Sequence, residues 1–303
     1  MRAACQKVLP AIICLLLAAG VYAQRSITVS TEPNAAVWID GVRYGTTDKS
    51  GTLTIKTVAA GTHSLRLRSD GFKEKTQPLT AAQRGDVKVI LVKTTDDAEL
   101  AFQEGERQST QDREKSAAAY RLAIKLRPNY PEAYLALARV LSDAGNLVEA
   151  EKAATQARRL RPGYAEASAV LGRIFKDNGD EAKAIAAFKR AVTEGRGFQP
   201  EAYAGLGLLY KEKAESAGSS GDYDGESAAY EESAKNLRLS LKQLSGAPDA
   251  IVIYQLLGLI YERQKKTADA IATYEEFLRL FPDAPEATAV QSFITQLKKG
   301  DQQ

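Results

Sequence analysis

The sequence contains a long internal repeat, and this repeat limits the possible folds more than any other feature. Segments 131–164 and 165–198 align along their whole lengths. The matching pairs are Glu132 with Glu166, Leu137 with Leu171, Gly145 with Gly179, Ala150 with Ala184, and Ala157 with Ala191. A period of about 34 residues does not come from a single helix, whereas a helix–turn–helix unit that stacks on copies of itself produces one. The sequence therefore predicts an array of helical pairs.

The small and aromatic residues of each repeat predict how its two helices pack. Gly or Ala on the first helix is expected to face Ala on the second, and larger residues fill the space beside that contact. Pro follows the second helix, as at Pro128 and Pro162, because it cannot continue a helix. Tyr and Phe of the array are interpreted as core residues, since one repeat cannot bury its own apolar face.

These repeats resemble the tetratricopeptide repeat (TPR) family, whose pattern joins an aromatic residue, Leu-Gly and Tyr to a later Ala, aromatic residue and Pro. The best match is the set Tyr254, Leu257, Gly258, Tyr261, Ala270, Tyr274 and Pro282. Two other units depart from the pattern, because Arg196 replaces one Pro and Ala138 replaces one Gly. The resemblance implies an all-α TPR superhelix.

The period divides the array, residues 97–298, into five repeats and a last helix. The predicted repeats are 97–130, 131–164, 165–198, 200–248 and 251–284, and the last helix is 286–298. The first repeat is degenerate, because Gln103, Glu104 and Arg107 stand where its first helix normally has apolar residues. That composition suits a terminal repeat whose outer face is covered by water or by the preceding domain.

The fourth repeat contains an insertion at 211–225. Its Gly- and Ser-rich segment 217–222 predicts a loop, and 226–244 predicts a long second helix. Insertions in repeats fall on one face, often the binding face, so a functional role is one interpretation. The other interpretation is a mobile insertion that the fold tolerates.

Between residues 25 and 93 the apolar pattern changes to the alternation typical of strands. The predicted strands are 26–31, 36–40, 52–58, 62–69 and 86–92. Short strands with no helix between them predict a small antiparallel β-sandwich. The expected fold class of the chain is α+β multidomain, with this sandwich ahead of the all-α superhelix.

The same region resembles the PEGA domain. The segments that carry the resemblance are 32–41, 45–46, 60–63 and 70–72, which read EPNAAVWIDG, GT, AGTH and DGF. The naming motif departs, because Pro-Asn-Ala-Ala stands where the family has Pro-Glu-Gly-Ala. The resemblance implies a β module of bacterial surface and envelope proteins that holds surface polymers or partner proteins and brings no catalytic residues.

Residues 1–23 predict a cleaved signal peptide. A positively charged start precedes an apolar run at 8–19, which is too short to span a bilayer comfortably. Cleavage is expected after Ala23, so the mature chain is expected in the periplasm or at the cell surface, with no transmembrane span. The alternatives are a lipoprotein acylated at Cys14 and an uncleaved anchor.

No motif in the sequence carries catalysis or holds a cofactor or metal. Segment 218–221, Gly-Ser-Ser-Gly, lacks the Lys and the preceding strand of a phosphate-binding loop. Both cysteines, Cys5 and Cys14, lie in the leader, and His63 is the only histidine, so a structural role is expected for it. We expect no enzyme, no cofactor and no metal site. The alternative class is an enzyme that uses one of the plentiful carboxylates.

The net charge and the single tryptophan each give information on the kind of partner to expect. The net charge of +3 is close to neutral and gives no reason to expect nucleic acid. Trp38 is out of phase with Val37 and Ile39, so it is expected to face away from the sandwich core. It either packs on a loop or the array, or forms a platform for binding.

First helices of TPR arrays line the concave surface, where we expect the partner-binding residues. The candidates are Leu135, Arg139, Ser142, Asp143, Ala169, Arg173, Lys176, Asp177, Ala204, Leu208, Lys211, Gln255, Leu259 and Glu262. Arg139, Arg173 and Lys176 would together suit an acidic peptide or a carboxylate. Alternatively, each Arg pairs only with the Asp four residues later, Asp143 or Asp177, and stabilises its own helix.

Together these features predict a non-catalytic protein–protein interaction scaffold of the bacterial cell envelope, with a protein or peptide partner in the TPR groove. The alternative function is attachment to the cell wall or to a surface polymer. In that case the PEGA-like domain binds the envelope polymer, and the TPR array is a spacer.

Overall fold

The computed structural model describes residues 25–300, which form a β-sandwich followed by a helical array. The predicted signal peptide and its cleavage site lie outside the described residues. Within 25–300, none of the helices is long and apolar enough to cross a membrane. The predicted fold class, a small β-sandwich ahead of a TPR-like array, is confirmed.

Two sheets form the sandwich. Their strands are β1 (Arg25–Ser30), β2 (Ala36–Ile39), β3 (Val42–Thr46), β4 (Thr52–Val58), β5 (His63–Arg68), β6 (Lys75–Leu79) and β7 (Gly85–Lys88). One sheet has the order β4-β1-β7, and the other has the order β3-β2-β5-β6. Because alternate residues of a strand share a face, Ile27, Val29, Val37, Leu65 and Leu67 are buried together in the core.

The sandwich differs from the predicted one in two respects. Strand β7 pairs with β1 in parallel, whereas the other strand pairs are antiparallel. Strands β3 and β6 are additional to the predicted ones. Val42 of β3 packs on the helical array, and Pro78 of β6 is tolerated because β6 is an edge strand. Neither strand therefore shows the apolar alternation of a sandwich strand.

Five helical pairs and a last helix follow in the described part of the chain. The helices are α1 (Asp97–Gln108), α2 (Arg113–Leu126), α3 (Pro131–Asp143), α4 (Leu147–Leu160), α5 (Ala165–Asp177), α6 (Glu181–Glu194), α7 (Pro200–Ser219), α8 (Tyr223–Leu244), α9 (Ala250–Arg263), α10 (Thr267–Leu280) and α11 (Ala287–Gly300). Aspartates begin several of them: Asp96, Asp112, Asp180 and Asp222 accept backbone N–H groups at the starts of α1, α2, α6 and α8.

The insertion in the fourth repeat lengthens both helices of the pair, so the predicted loop at 217–222 is confirmed only at 220–222, and residues 217–219 belong to α7. Helix α7 has 20 residues and α8 has 22, whereas the second helix of the third repeat, α6, has 14. The helices are joined only by 220–222. Ion pairs at helical spacing, such as Lys211 with Glu215, favour continuation of α7. The preference of the local Gly and Ser residues for a loop is weaker than the effect of these ion pairs.

Glycines of the first helices face large side chains, such as the rings of Phe188 and Tyr274 and the side chain of Leu237, not the alanines that the sequence led us to expect. A β-carbon added at Gly172 would lie 2.5 Å from the ring of Phe188, and one at Gly258 would lie 2.2 Å from the ring of Tyr274. These contacts are too close for any side chain. The glycine is therefore required by the ring that packs over it.

The last helix, α11, was expected at 286–298. It buries Val290 and Ile294 against α10 and leaves Phe293 partly exposed. It thus covers the apolar face of the final repeat while presenting polar residues outward, as a capping helix of a repeat array does.

Candidate functional site

The β domain lies across the concave side of the array and contacts it at two places. At the first repeat, Arg68 and the loop at Gly71 contact α1. At the junction of the fourth and fifth repeats, Tyr44 and Thr57 contact the end of α8. The described chain therefore forms a closed ring, in which the β domain joins the first repeat to the C-terminal part of the superhelix.

Arg68 is the centre of the N-terminal contact. It is only 8% exposed and forms ion pairs with Glu74 of its own domain and Glu106 of α1. Its guanidinium also stacks on Phe102, 4.5 Å from the ring centroid. Burial raises the pKa of Glu106, and the Arg68 charge opposes that shift. The attraction within the ion pair offsets the desolvation cost of burying both charges in an apolar site.

Gln103 completes this contact. Its Nε2 donates to the carbonyl of Phe72 at 2.8 Å, and its Oε1 accepts from the backbone N–H of Gly71 at 2.8 Å. A polar residue at a normally apolar position of α1 is thus explained, because the β domain covers this face of the first repeat.

The C-terminal contact is smaller. Val42, 7% exposed, packs in the apolar cluster of the last repeats. The hydroxyl of Tyr44 donates to the carbonyl of Leu244 at 3.2 Å, and that of Thr57 donates to the carbonyl of Ser245 at 2.9 Å. An exposed ion pair, Lys56 with Asp283 at 3.5 Å, lies beside them.

A cavity of about 1200 Å³ lies between the β domain and the concave face. The β domain contributes Trp38, Arg43 and Arg66 to its wall. The array contributes a mixed apolar and charged lining. Among these residues are Leu135, Ala136, Arg139, Tyr164, Glu166, Glu201, Ala204 and Ile253. The cavity is large enough to hold a polypeptide segment.

Trp38 faces this cavity, as expected from its strand phase. The ring is half-buried, and the guanidinium of Arg66 lies 4.5 Å from its centroid. Arg68 stacks more loosely on the same ring, at 5.6 Å. The two arginines cover the indole, so Trp38 packs within the contact between the β domain and the array.

Only part of the predicted groove set lines the cavity. Leu135, Arg139, Asp143 and Ala204 do so. Ser142 and Ala169 are buried in helix packing, Gln255 is half-buried, and Leu208 and Leu259 are exposed away from the cavity wall. Lys211 pairs with Glu215 at 2.6 Å. Glu262 accepts a hydrogen bond from the Tyr274 hydroxyl at 2.5 Å, beside α11.

The predicted cations are each held by a carboxylate. Arg139 forms a bidentate ion pair with Glu201, at 2.6 and 3.0 Å. Arg173 pairs with Asp143 of the preceding repeat at 3.4 Å. The expected pairing of each Arg with the Asp four residues later is therefore wrong, because stacking brings carboxylates of other repeats closer. For Arg173 this carboxylate is in the preceding repeat, and for Arg139 it is two repeats further along.

Lys176 is also satisfied, by Asp177 at 3.1 Å and Glu212 at 3.4 Å. Asp177 is thus part of an ion pair with its neighbour in sequence, not with Arg173. The groove accordingly does not present the three cations as a free positive surface. Their charges contribute to cohesion between repeats.

Three glutamates of the cavity wall were not among the predicted groove residues. Glu132, Glu166 and Glu201 all line it, and each is the second residue of its first helix. Their recurrence at the same position of successive repeats was a signal that could have identified them. The β-domain residues of the wall, Arg43 and Arg66, carried no such signal.

His63 has a structural role. Its Nδ1 lies 2.6 Å from a carboxylate oxygen of Asp40, and its Nε2 lies 3.0 Å from the carbonyl of Ala59. Asp40 also accepts from the backbone N–H of Ser64 at 2.7 Å. These bonds fix the β2–β3 turn to β5. Across residues 25–300, no group of three or more His, Cys, Asp or Glu residues is placed to hold a metal ion.

Models of two families match this chain. The PEGA domain model matches residues 25–95, and tetratricopeptide repeat models match 106–165, 135–202 and 254–284. The chain contains a PEGA domain followed by TPR repeats. Such repeats define a protein–protein interaction scaffold, and no catalytic family is indicated.

Solved TPR structures resemble the array. Yeast Tom70 is 16% identical over 69% of this chain and 41% of that chain, with a TM-score of 0.54, which shows the shared fold. The MamA protein is 21% identical over 64% of this chain and 96% of that chain, with a TM-score of 0.44. A TPR protein of Thermus thermophilus is 17% identical over 66% and 98%, with a TM-score of 0.49. No curated protein matches the chain.

Proposed function

We propose that the protein is a non-catalytic scaffold of the bacterial cell envelope that holds a polypeptide partner in the cavity between the PEGA domain and the TPR groove. The observation that carries the proposal is the cavity itself, because both domains contribute to its wall. Its mixed lining of apolar and charged side chains suits a polypeptide, which offers both kinds of group.

Attachment to an envelope polymer through the PEGA domain, with the array as a spacer, has less support. A spacer holds a binding surface away from its neighbours. Here the Trp38 face of the PEGA domain is turned toward the array, and Arg68 and Gln103 fix it there. The two domains act as parts of one site.

The partner site is tested by narrowing the cavity. Ala136 on α3 lines it and is half-buried, so Ala136→Trp fills space that a partner would need. Ala118→Trp on α2 is the matched control, since Ala118 is exposed and lies outside the cavity wall. Partners are captured by crosslinking in the native envelope, with the melting temperature of each variant measured.

On this proposal, Ala136→Trp lowers partner recovery severalfold while Ala118→Trp leaves it at the level of the unaltered chain. Equal recovery from both variants, with similar melting temperatures, would show that the cavity is not the partner site.

The envelope location rests on the predicted leader. Removal of residues 1–23 leaves a chain that begins at Gln24, and the intact mass of the exported protein reports this directly. A mass that retains the leader, or one that carries a lipid on Cys14, contradicts cleavage after Ala23.

A further inference from the structure

The PEGA domain holds distant parts of the array together through contacts that a TPR stack alone does not have. Repeats of such an array contact mainly their neighbours. The ion pair of Arg139 with Glu201 reaches from the second repeat to the fourth, but it does not reach the first. In the PEGA domain, Tyr44 bonds to a residue 200 positions away, and Thr57 to one 188 positions away. The closure of the ring therefore depends on the PEGA domain.

The two contacts of the PEGA domain differ in strength. On the N-terminal side, a buried ion pair, a cation–π contact and two hydrogen bonds from Gln103 combine with a short covalent linker. The C-terminal side has one buried aliphatic side chain, a partly buried Tyr44 ring, two hydroxyl hydrogen bonds to carbonyls and an exposed ion pair. We name this set, formed by Val42, Tyr44 and Thr57 with Leu244 and Ser245, the latch.

The acceptors of the latch are easily satisfied by water. Leu244 is the last residue of α8 and Ser245 follows it, so these carbonyls have no partner within the helix. The Leu244 carbonyl also accepts from the backbone N–H of Ala247 at 2.9 Å, and that bond does not depend on the latch. Opening the latch exchanges two protein hydrogen bonds for two bonds to water, which changes the free energy little. The burial of Val42 is the main term that keeps the latch closed.

We infer that the latch is a gate on the concave cavity. While it is closed, the C-terminal repeats are held against the PEGA domain and the ring surrounds the cavity. When it opens, the C-terminal repeats move away from the PEGA domain, which stays fixed on α1, and a polypeptide enters. The identity of the cavity as the partner site rests on the proposed function, whereas the opening itself does not.

One variant opens the latch without touching the sandwich core. Val42 belongs to the apolar cluster of the array and not to the buried core of the sandwich, so Val42→Asp places a charge in the latch, at a point where the latch also forms part of the cavity wall. The matched control is Ile90→Asp, which adds the same charge to a PEGA-domain residue that is 67% exposed. Small-angle X-ray scattering of the full chain reports the opening.

A disulfide closes the latch. A β-carbon added at Gly246 would lie 3.6 Å from Cβ of Thr57, within the range of about 3.5–4.5 Å that a disulfide requires. The pair Thr57→Cys and Gly246→Cys is introduced with Cys5 and Cys14 replaced by Ser. Because Gly246 has a φ of +79°, the reduced form of the same variant is the control for backbone strain.

We expect Val42→Asp to enlarge the radius of gyration and Ile90→Asp to leave it unchanged. The cysteine pair should oxidise readily, and adding Val42→Asp to it should slow oxidation about tenfold or more, since burial of a valine is worth about one decade in an equilibrium. Identical scattering of Val42→Asp and the unaltered chain would overturn the latch, whatever the cysteines do.

The gate is then tested with the crosslinked partner of the proposed function. Recovery should fall severalfold in the oxidised cysteine pair and be restored by reduction, and neither Thr57 nor Gly246 lines the cavity. Val42 does line it, so Val42→Asp is used only to report opening by scattering. If scattering shows opening but recovery is the same in the locked, reduced and unaltered forms, the gate is overturned. The proposed function is judged separately by Ala136→Trp, so the two failures are distinct.

Discussion

At the scale of single residues, Arg68 joins the two domains. It pairs with Glu106 across the domain boundary, and its own exposure is 8%. Breaking a buried ion pair from one side leaves a charge without a partner, which typically costs about 3–5 kcal/mol. We predict that Arg68→Met lowers the free energy of unfolding by about 3 kcal/mol, measured by chemical denaturation.

A second change distinguishes loss of charge pairing from loss of packing. In Arg68→Met with Glu106→Leu, the carboxylate of Glu106 is removed as well, and that of Glu74 keeps Arg66 at 3.9 Å. The double variant should regain most of the lost stability. If it is as unstable as Arg68→Met alone, the ion pair is not what makes Arg68 important.

Asp48 gives a prediction on pH. Its carboxylate accepts hydrogen bonds from the Ser50 hydroxyl at 2.6 Å and the Thr52 backbone N–H at 2.9 Å. These bonds, led by that from Ser50, lower the pKa of Asp48 from 3.8 to about 2. Because the pKa is lower in the folded chain, Asp48 stabilises the fold above about pH 4, and this stabilisation is lost as the pH falls toward 2.

The measurement is an NMR titration of the Asp48 carboxyl, which should have a midpoint near pH 2. In Asp48→Ala, the stability of the PEGA domain should depend less on pH between about 4 and 2 than it does in the unaltered chain. A midpoint close to 3.8 would mean that the turn is open in solution.

At the scale of helical pairs, a glycine on the first helix leaves room for an aromatic ring on the second. Gly172 faces Phe188 and Gly258 faces Tyr274, and the two pairs have the same separation along the chain. The unit at 131–164 has Ala138 and Ala154 at that separation instead, and both are buried. These three repeats thus fill the helix crossing either with a glycine and a ring or with two alanines.

Gly258→Ala tests this matching. Ala favours a helix over Gly by about 1 kcal/mol, but overpacking a core costs about 1–3 kcal/mol. Since the added carbon would lie 2.2 Å from the Tyr274 ring, overpacking should dominate. We predict a net destabilisation of about 1–2 kcal/mol by denaturant unfolding.

Gly258→Ala should no longer destabilise the protein once the Tyr274 ring has been removed. In a Tyr274→Ala background, Gly258→Ala recreates the alanine pair of 131–164 and should be neutral or stabilising. A loss of the same size in both backgrounds would contradict the steric explanation.

The helical elements were largely predictable, because a fixed repeat period and regularly spaced core residues leave few alternatives. The insertion was not, since Gly218 and Ser219 predict a loop locally while the surrounding ion pairs extend α7 to Ser219. Strand β3 was missed for a different reason. Its Val42 is buried against helices at the far end of the array, so no local pattern marks it.

At the scale of the whole molecule, only the side of the candidate site that the helical array forms was predictable. Helical phase placed Leu135, Arg139 and Ala204 toward the concave surface, and they line the cavity. The pairing of Arg139 with Glu201 and the closure by the PEGA domain depend on contacts between distant segments. A single sequence does not show which distant segments meet, so the ring could not be inferred from it.

Ring closure should make the two ends of the array unfold together. In an open array, terminal repeats have one neighbour and fray at low free energy. In the closed ring, the C-terminal repeats gain a second neighbour through Val42 and Tyr44. Local opening of α9 and α10 then requires the loss of the latch as well, which raises the free energy of that opening.

Hydrogen exchange of the full chain measures this effect. We predict that Val42→Asp accelerates exchange of the α9 and α10 backbone amides about tenfold, because the burial energy of one valine no longer opposes their opening. The amides of α4 and α6 should be unaffected, since those helices lie in the middle of the stack and keep both neighbours. Ile90→Asp should change neither region. Equal acceleration along the whole array would instead mean that Val42→Asp destabilises the fold globally, and the coupling of the two ends would have no support.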